Sequence, residues 1–464
     1  MRVLVTIFVV LFLAAAGVYV AAGRMAGPAI TIVQPSRYIG RTTPLDVTIE
    51  TPGGRLSALE VRLEQAGRQI PIASLADGTA ELRQEAPDRV RLAREIGGRA
   101  LPALREGSAR LVVRAARPVL FGLRTVASAA ERALEVRLTP PRLSVLSTHH
   151  HIAHGGSELV VYRVTPPDAA SGVRVGEIEY PGFPASGAAP LAGVSIADPS
   201  IKVAFFALLH DQDLQTPMAL YARDEAGNTA RAEFEHRVFP RPFRRSRIEL
   251  GDGFLGRVVP AILEQTPDFR AEGDLLARFL AINGELRRRN AEQIQKIGSR
   301  TADRALWSGP FQQLASSQVE SAFADHRTYV YQGREVDQQV HLGFDLAVTA
   351  NVAVRAANGG TVLYADYLGI YGNCVILDHG LGVQSLYGHL SSIGVEPGRQ
   401  VAKGDVLGRS GMTGLAGGDH LHFTMLLHGR PVNPVEWWDP HWIEDRILRK
   451  LREAAAPAVT SAAP

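Results

Sequence analysis

The sequence predicts a multidomain, mainly β chain. It opens with a membrane-crossing helix and carries one short helical region ahead of a terminal antiparallel β domain. Three observations lead there. Val3–Ala22 is an apolar run of 20 residues. Segments that alternate apolar with charged residues, such as Leu59-Glu-Val-Arg-Leu-Glu64 and Leu134-Glu-Val-Arg-Leu138, recur between Pro and Gly breaks up to about Phe239. Apolar residues at helical spacing follow over the stretch from Phe254 to Ile297.

The first element, residues 1–24, reads as a signal anchor. Twenty residues at 1.5 Å each give about 30 Å, the thickness of the hydrocarbon core of a bilayer. Arg2 and the α-amine precede the run, so the positive-inside rule leaves the N-terminus in the cytoplasm and the bulk outside. The run exceeds the ~7–15 apolar residues of a signal peptide, which favours an uncleaved anchor. Val20-Ala21-Ala22 also offers a small-residue cleavage site, and secretion after cleavage is the alternative.

A β-rich domain over 28–140 and a second over 141–240 follow, with the break at Pro140-Pro141. Ala29–Val33, Leu45–Ile49, Arg110–Arg114, Ser157–Tyr162 and Ile201–Phe206 supply further strand patterns. Asp224-Glu-Ala-Gly-Asn-Thr229 between two such patterns resembles the last hairpin of an Ig-like sandwich. These domains are expected to act as a spacer or binding module, or as a structural stalk with no ligand of their own. Phe239-Pro-Arg-Pro-Phe-Arg-Arg-Ser-Arg247 reads as a solvated linker, with contact to anionic polymer or lipid as the other use of its charge. Within 241–310, helices are expected over Phe254–Glu264 and Leu275–Ile297, the second broken at Asn283-Gly284. They either join sandwich to core or restrict entry to the domain that follows. That domain spans 311–440, and 441–464 reads as a C-terminal helix and a disordered Ala/Pro-rich tail.

Length and composition set the outer limits. The 464 residues suffice for roughly three domains. A hydrophobic content of 46% with 45 glycines and 28 prolines fits turn-rich globular structure. The net charge of +3 gives no nucleic-acid footprint. Arginine greatly outnumbers lysine, a bias attributed to GC-rich coding. With Cys374 as the single cysteine no intrachain disulfide can form, and its apolar setting suits a small buried side chain.

The chemistry lies in three short frames: His341-Leu-Gly-Phe-Asp345, Tyr387-Gly-His389-Leu and Asp419-His420-Leu-His422-Phe. On a strand, residues i, i+2 and i+4 share a face, so His341 can join Asp345 and His420 can join His422. Two imidazoles and a carboxylate suit Zn²⁺, and three protein ligands leave a fourth position open, as in catalytic sites. No glutamate lies in or beside these frames, so a histidine has to act as the base.

The three frames together resemble the M23 family of zinc metallopeptidases, the LytM/lysostaphin type that cuts peptide bonds in bacterial cell walls. The resemblance covers about residues 335–436 and extends to Ala356–Gly360, Tyr371–Gly380, Val401–Gly408, Ser410–Gly414 and Pro431-Val-Asn-Pro434. Thr424 departs from the acidic residue that relatives often carry there. The resemblance implies one Zn²⁺ per chain on His341, Asp345 and His422, with His389 and His420 flanking the activated water as proton acceptor and oxyanion or leaving-group partner, in an order left open. It also implies peptidoglycan as substrate and a site outside the cytoplasm, in the periplasm or beyond. Some relatives have become regulators or scaffolds by losing metal ligands; this chain keeps all five residues. A peptidase acting on a protein is a further alternative.

Other histidines read as structural. His379 falls at a strand end, and His428 and His441 stand alone. His149, His150, His151 and His154 read as a polar loop, with transition-metal binding or a reach over the active site as the alternative.

Overall fold

The structure, a computed structural model, describes residues 2–456. The greater part of the expected disordered tail, 457–464, lies outside the described residues. The chain forms two compact units, Met1–Pro141 with Arg223–Ala230, and Arg142–Ala222 with Arg231–Pro464.

In the first unit, α1 (Arg2–Ala22) is one uninterrupted helix whose only buried side chain is Ala22. Its apolar surface is therefore open along its length. β1 (Gly107–Val119) and β2 (Arg124–Val136) form a long antiparallel hairpin. They belong to a five-stranded sheet that packs on a four-stranded one built from Ala29–Gln34, Thr43–Glu50, Arg89–Ile96 and Leu82–Ala86. Thr43–Glu50 alternates buried and open residues along its length. Its Leu45, Val47 and Ile49 meet Leu59, Val61, Leu111 and Leu134 of the other sheet in a common core. Each strand pattern quoted above falls in a strand, except that the last of this unit stops at Val136 instead of Leu138.

In the second unit, β3 (Ser157–Thr165) and β4 (Ile201–Ala207) are the central pair of a four-stranded sheet. Met218–Arg223 and Thr229–Glu233 are neighbours in another, as the turn at Asp224–Asn228 requires. The segment expected to be a solvated linker is irregular over 240–244, as expected, but runs into strands at both ends. His236–Phe239 pairs in parallel with His150–Ala153, and β5 (Arg245–Leu250) pairs in parallel with Asp325–Tyr331 of the terminal domain. Its charges face out while the backbone donors and acceptors are satisfied in the ladders, which a count of Pro and Arg does not register.

Two helical stretches follow, α2 (Asp252–Gln265) and α3 (Leu275–Ala281), the latter N-capped by Asp274, whose side chain accepts the Ala277 N–H. No break occurs at Asn283-Gly284. α3 runs through a π turn, Ile282–Leu286, into α4 (Arg287–Gly298). The extra residue of the π turn brings Asn283 fully inside, where its amide donates to Asp337 at 2.8 Å.

The terminal domain includes β6 (Gln318–Ser321), β7 (Asp325–Tyr331), β8 (Arg334–His341), β9 (Phe344–Ala347), β10 (Gly360–Tyr367), β11 (Asn373–Gly380), β12 (Val383–Leu390), β13 (Gln400–Val401), β14 (His420–Leu427) and β15 (Arg430–Val432), besides a small sheet of Ala353–Arg355, Val406–Arg409 and Ser392–Ile393. Its main sheet has the order β6-β9-β14-β12-β11-β10-β13, with β15 on the end of β14, and every pairing given by register is antiparallel. β5, β7 and β8 form a separate three-stranded sheet. All eight residues of β12 and of β14 are buried. Both faces of these central strands are covered, which lets functional side chains sit on one face over packing side chains on the other. The helices share a core with this domain: Leu255, Val258, Ile262, Phe279 and Ile282 cluster with Tyr329 and Ile370.

After Pro431-Val-Asn-Pro434, Asn433 caps a short helix by accepting the Val435 N–H. The chain then ends in helical turns with Ile443, Ile447 and Leu451 buried at i, i+4 and i+8.

Candidate metal centre

β14 supplies the floor of the site. His420, His422 and Thr424 alternate with Leu421, Phe423 and Met425, so the first three share one face of the strand, and His420 and His422 line the cavity. β9 lies beside it with Asp345 opposite His422 in register. His341 is not on the same strand as Asp345, contrary to the expectation of one shared face. β8 ends at His341, the chain bends through Leu342-Gly343, and β9 begins in the other sheet. The bend needs glycine. A Cβ at Gly343 would stand 2.5 Å from the His422 ring and from Thr424 Oγ1.

Three donor atoms converge. His341 Nε2 and Asp345 Oδ1 are 2.9 Å apart, His422 Nδ1 and Asp345 Oδ1 3.0 Å, and the two ring nitrogens 3.0 Å. The outward nitrogens fix the tautomers. His341 Nδ1 lies 3.2 Å from the carbonyl of Ala322, which can only accept, so it carries the proton. Thr424 Oγ1 donates its hydrogen to Leu342 O at 2.8 Å and so can only accept from His422 Nε2, 3.0 Å away. Three lone pairs therefore meet within 3.0 Å, a repulsive arrangement that a cation relieves. Tetrahedral zinc, with ligand distances of about 2.0–2.2 Å, spaces its ligand atoms by about 3.3 Å, so the triangle fits with slight expansion. Among the described residues this is the one such group of three donors.

The surroundings hold the triangle in place. Arg327 Nη2 donates to Asp345 Oδ2 at 2.8 Å, leaving Oδ1 for the shared point. Ser321 Oγ lies 3.2 Å from His341 Nδ1 and 3.3 Å from Asp325 Oδ2, which also accepts from Ser246 at 2.8 Å. Burial alone would raise the Asp345 pKa, but His341, His420 and His422 together hold it well below the usual carboxylate range. Burial lowers His422 to about 4.

His389 reaches the site by a distortion. Tyr387 pairs with Phe423 and Gly388 with His422, so in a regular strand His389 would point to the Phe423 face. A bulge against β11 and a left-handed φ of +63° turn it to the other side. Its ring then lies 4.8 Å from that of His420 and 5.7 Å from that of His422. Such a φ costs of order 1–3 kcal/mol and is concentrated at functional sites. His389 Nδ1 donates to Thr413 O at 2.8 Å and His420 Nδ1 to Gly418 O at 2.9 Å, so each has Nε2 free of its ring proton. Burial, then repulsion from His420 and His422, keeps His389 well below its ordinary pKa. His420, 3.4 Å from Asp345 Oδ1, is raised despite burial because Asp345 attracts its charged form; a cation on Asp345 would cancel that attraction.

These five residues line one cavity of about 510 Å³. Its far wall comes from the helical region, through Phe254, Phe279 and Arg287, and Tyr371 packs at 5.4 Å against His422. Arg287 is held by the carbonyl and side chain of Asn283 and makes no salt bridge among the described residues. The wall residues carry no signal in the sequence, because only the packing of α2 and α3 on Tyr329 and Ile370 brings them here. Thr424 was detectable by alternation with His420 and His422. Arg327 was not.

The remaining histidines are elsewhere. His379 spends both ring nitrogens on Gly359 O and Ser385 Oγ, and His150 spends both on Ser147 Oγ and Glu235 O. His149 and His151 stand with ring centroids 6.1 Å apart, and His154 packs on Phe243. None of the four forms a metal-binding group or lines the cavity. His428 is half-buried and stacks beside Phe183, His441 is exposed, and Cys374 is fully buried.

Residues 339–434 match the family model described as Peptidase family M23. The chain is similar to the DD-carboxypeptidase/endopeptidase Mpg of Neisseria meningitidis serogroup B, 40% identical over 97 residues, 21% of this chain and 22% of that protein. It is also similar to the peptidoglycan DD-endopeptidase ShyA of Vibrio cholerae, 28% identical over 164 residues, 35% of each chain. The chain thus spans between about a fifth and a third of the length of these relatives. Among solved structures, a putative peptidase M23 from Pseudomonas aeruginosa aligns over 61% of this chain and 92% of its own, at 20% identity and a TM-score of 0.36. With its His-x-x-x-Asp, Tyr-Gly-His-Leu and His-Leu-His-Phe frames converging inside the matched segment, the chain carries a peptidase domain of family M23.

Proposed function

We propose that this chain is a zinc-dependent endopeptidase that hydrolyses peptide bonds in the stem peptides or cross-links of peptidoglycan. α1 would hold it in the cytoplasmic membrane with the remainder outside the cytoplasm. The observation that carries the reading is the triangle of His341, Asp345 and His422, whose tautomers leave three lone pairs within 3.0 Å beside two further histidines.

Zn²⁺ held by these three residues supplies Lewis acidity, polarising a peptide carbonyl and acidifying water. The rest falls to the chain. His389 and His420 each present Nε2 to the cavity with Nδ1 tied to a carbonyl, so either can accept a proton there and return it to a leaving amine. Arg327 fixes the Asp345 carboxylate through Oδ2. Phe254 and Phe279 shield one side from water, and Arg287 offers an unpaired cation to a substrate carboxylate, a group that stem peptides carry. The name of ShyA supports a peptidoglycan substrate and that of Mpg a peptidase, and the presence of all five histidine and aspartate positions supports an enzyme over a regulator.

The test is mass spectrometry of muropeptides released from purified sacculi by the full chain. Peptide-cleaved products are expected, lost on chelation and restored by zinc. Intact sacculi, or equal release by His422→Ala, would overturn the reading.

A further inference from the structure

At the tip of the β1–β2 hairpin, Leu120 packs against Ala22, Val119 and Val126, and Leu120–Gly122 line an open cavity with Met25, Pro52, Arg55 and Arg117, but Phe121 and Leu123 turn outwards. Phe121 is 104% exposed and Leu123 73%. Leu120 and Phe121 have φ of +51° and +55°, and Gly122 follows at +90°. Non-glycine residues in that region are uncommon, and two in succession hold an aromatic side chain outwards at a cost to the backbone.

The hairpin is fastened to the end of α1. Val119 and Val126 cluster with Ala22, and Arg117 donates from Nε and Nη2 to Ala26 O at 3.0 and 2.8 Å. Arg124 donates to Tyr19 O and lies 4.6 Å above the Tyr19 ring. These contacts give the direction. Going backwards along the chain, Gly27 lies against Ala127 and Ser128, Ala22 against Val126, and Gly23 and Tyr19 against Arg124. The hairpin therefore descends beside α1 towards the helix interior. Its tip begins one residue beyond Arg124, within ~10 Å of it at about 3.3 Å per residue.

Val3–Ala22 is as long as a bilayer core is thick, which sets Ala22 at its outer edge and Tyr19 about one turn inside it. Arg24, Arg55, Arg117 and Arg124 surround that edge, and none of them forms a salt bridge among the described residues. An apolar tip beside arginines that form no salt bridge among the described residues matches acyl chains next to phosphates. We propose that the β1–β2 hairpin inserts Phe121 and Leu123 into the outer leaflet of the membrane that α1 spans, with these arginines on lipid phosphates. The proposal rests on the reading of α1 as an uncleaved anchor. It makes the first β domain a membrane-seated base whose orientation is fixed at two points.

Cys374 is buried, so Phe121→Cys in the full chain gives a single labelling position, and Gln69→Cys gives a control. Gln69 pairs with Glu64, which pairs with Arg110, nine residues from Val119 and hence about 30 Å from the tip. Each variant is labelled with an environment-sensitive fluorophore and reconstituted in phosphatidylethanolamine/phosphatidylglycerol vesicles. Emission from position 121 should shift to the blue and be quenched by nitroxide-bearing lipids, while position 69 behaves as in water. A water-like signal at 121 in vesicle-bound chain would overturn the insertion alone. A blue shift without lipid quenching would assign the tip to a protein and also overturn it. Chain that fails to float with the vesicles would overturn the anchor reading and the insertion with it.

Discussion

Replacing Thr424 by valine would remove one hydroxyl and almost no volume. Thr424 is 2% exposed and His422 5%, so water cannot take over the lost bonds. The hydroxyl serves two groups, donating to Leu342 O at 2.8 Å and accepting from His422 Nε2 at 3.0 Å. Its loss leaves a buried carbonyl and a buried ring N–H without partners, at about 1–3 kcal/mol each. The imidazole can escape its share by moving its proton to Nδ1, but that nitrogen is the one aimed at Asp345 and His341. Stability and metal binding are therefore in competition. Loss of such a supporting partner typically weakens metal affinity by about 10–100-fold, or roughly 1.4–2.7 kcal/mol. Zinc affinity, measured in the full chain by competition with a chromophoric chelator, should fall by that amount in Thr424→Val. It should stay near wild type in Thr424→Ser, which keeps the hydroxyl. A valine variant that binds zinc as tightly as the wild type would refute the tautomer argument.

Three further outcomes are expected. His389→Ala and His420→Ala should retain zinc yet lose about 10²–10⁴-fold in muropeptide release, and near-normal cleavage by both would remove them from the proton transfers. Burial raises the Glu436 pKa to about 8, from 4.5 when free, so its contribution to stability is complete below about pH 4.5 and is lost as pH rises through 8. The wild type should melt at a lower temperature at about pH 9 than at about pH 6, and Glu436→Gln, which still accepts the Ser157 N–H, should flatten the difference; an unchanged profile would contradict this. Lys450 and Glu158 form a fully buried pair at 2.8 Å, so Lys450→Met should destabilise the chain by about 3–5 kcal/mol in denaturant unfolding, with partial recovery on adding Glu158→Gln. A Lys450→Met chain that unfolds at the wild-type midpoint would show the pair to be dispensable.

By itself, the sequence determined the features that repeat at a local period. Alternation marked the strands of the sandwich, a continuous apolar run marked α1, and i, i+2 spacing put His420 and His422 on one face of β14. The metal-binding residue types were legible because few other residues can serve that chemistry. What the tertiary structure alone decided is how those pieces meet. His341 and Asp345 come together through a bend between two sheets, not along a strand, since Gly343 leaves room for the His422 ring. His389 faces the site only because a bulge and a left-handed residue reverse its side. Arg327, Phe279 and Arg287 reach the cavity from elements more than ten residues away in sequence, and no local pattern encodes a contact of that range. Asn283-Gly284 reads as a break by propensity, yet the chain continues through a π turn because burying Asn283 against Asp337 satisfies its amide and anchors the wall of the site. Local periodicity fixes which face of an element is apolar. The long-range contacts of that face, and the few strained residues they sustain, are set by packing that only the folded chain contains.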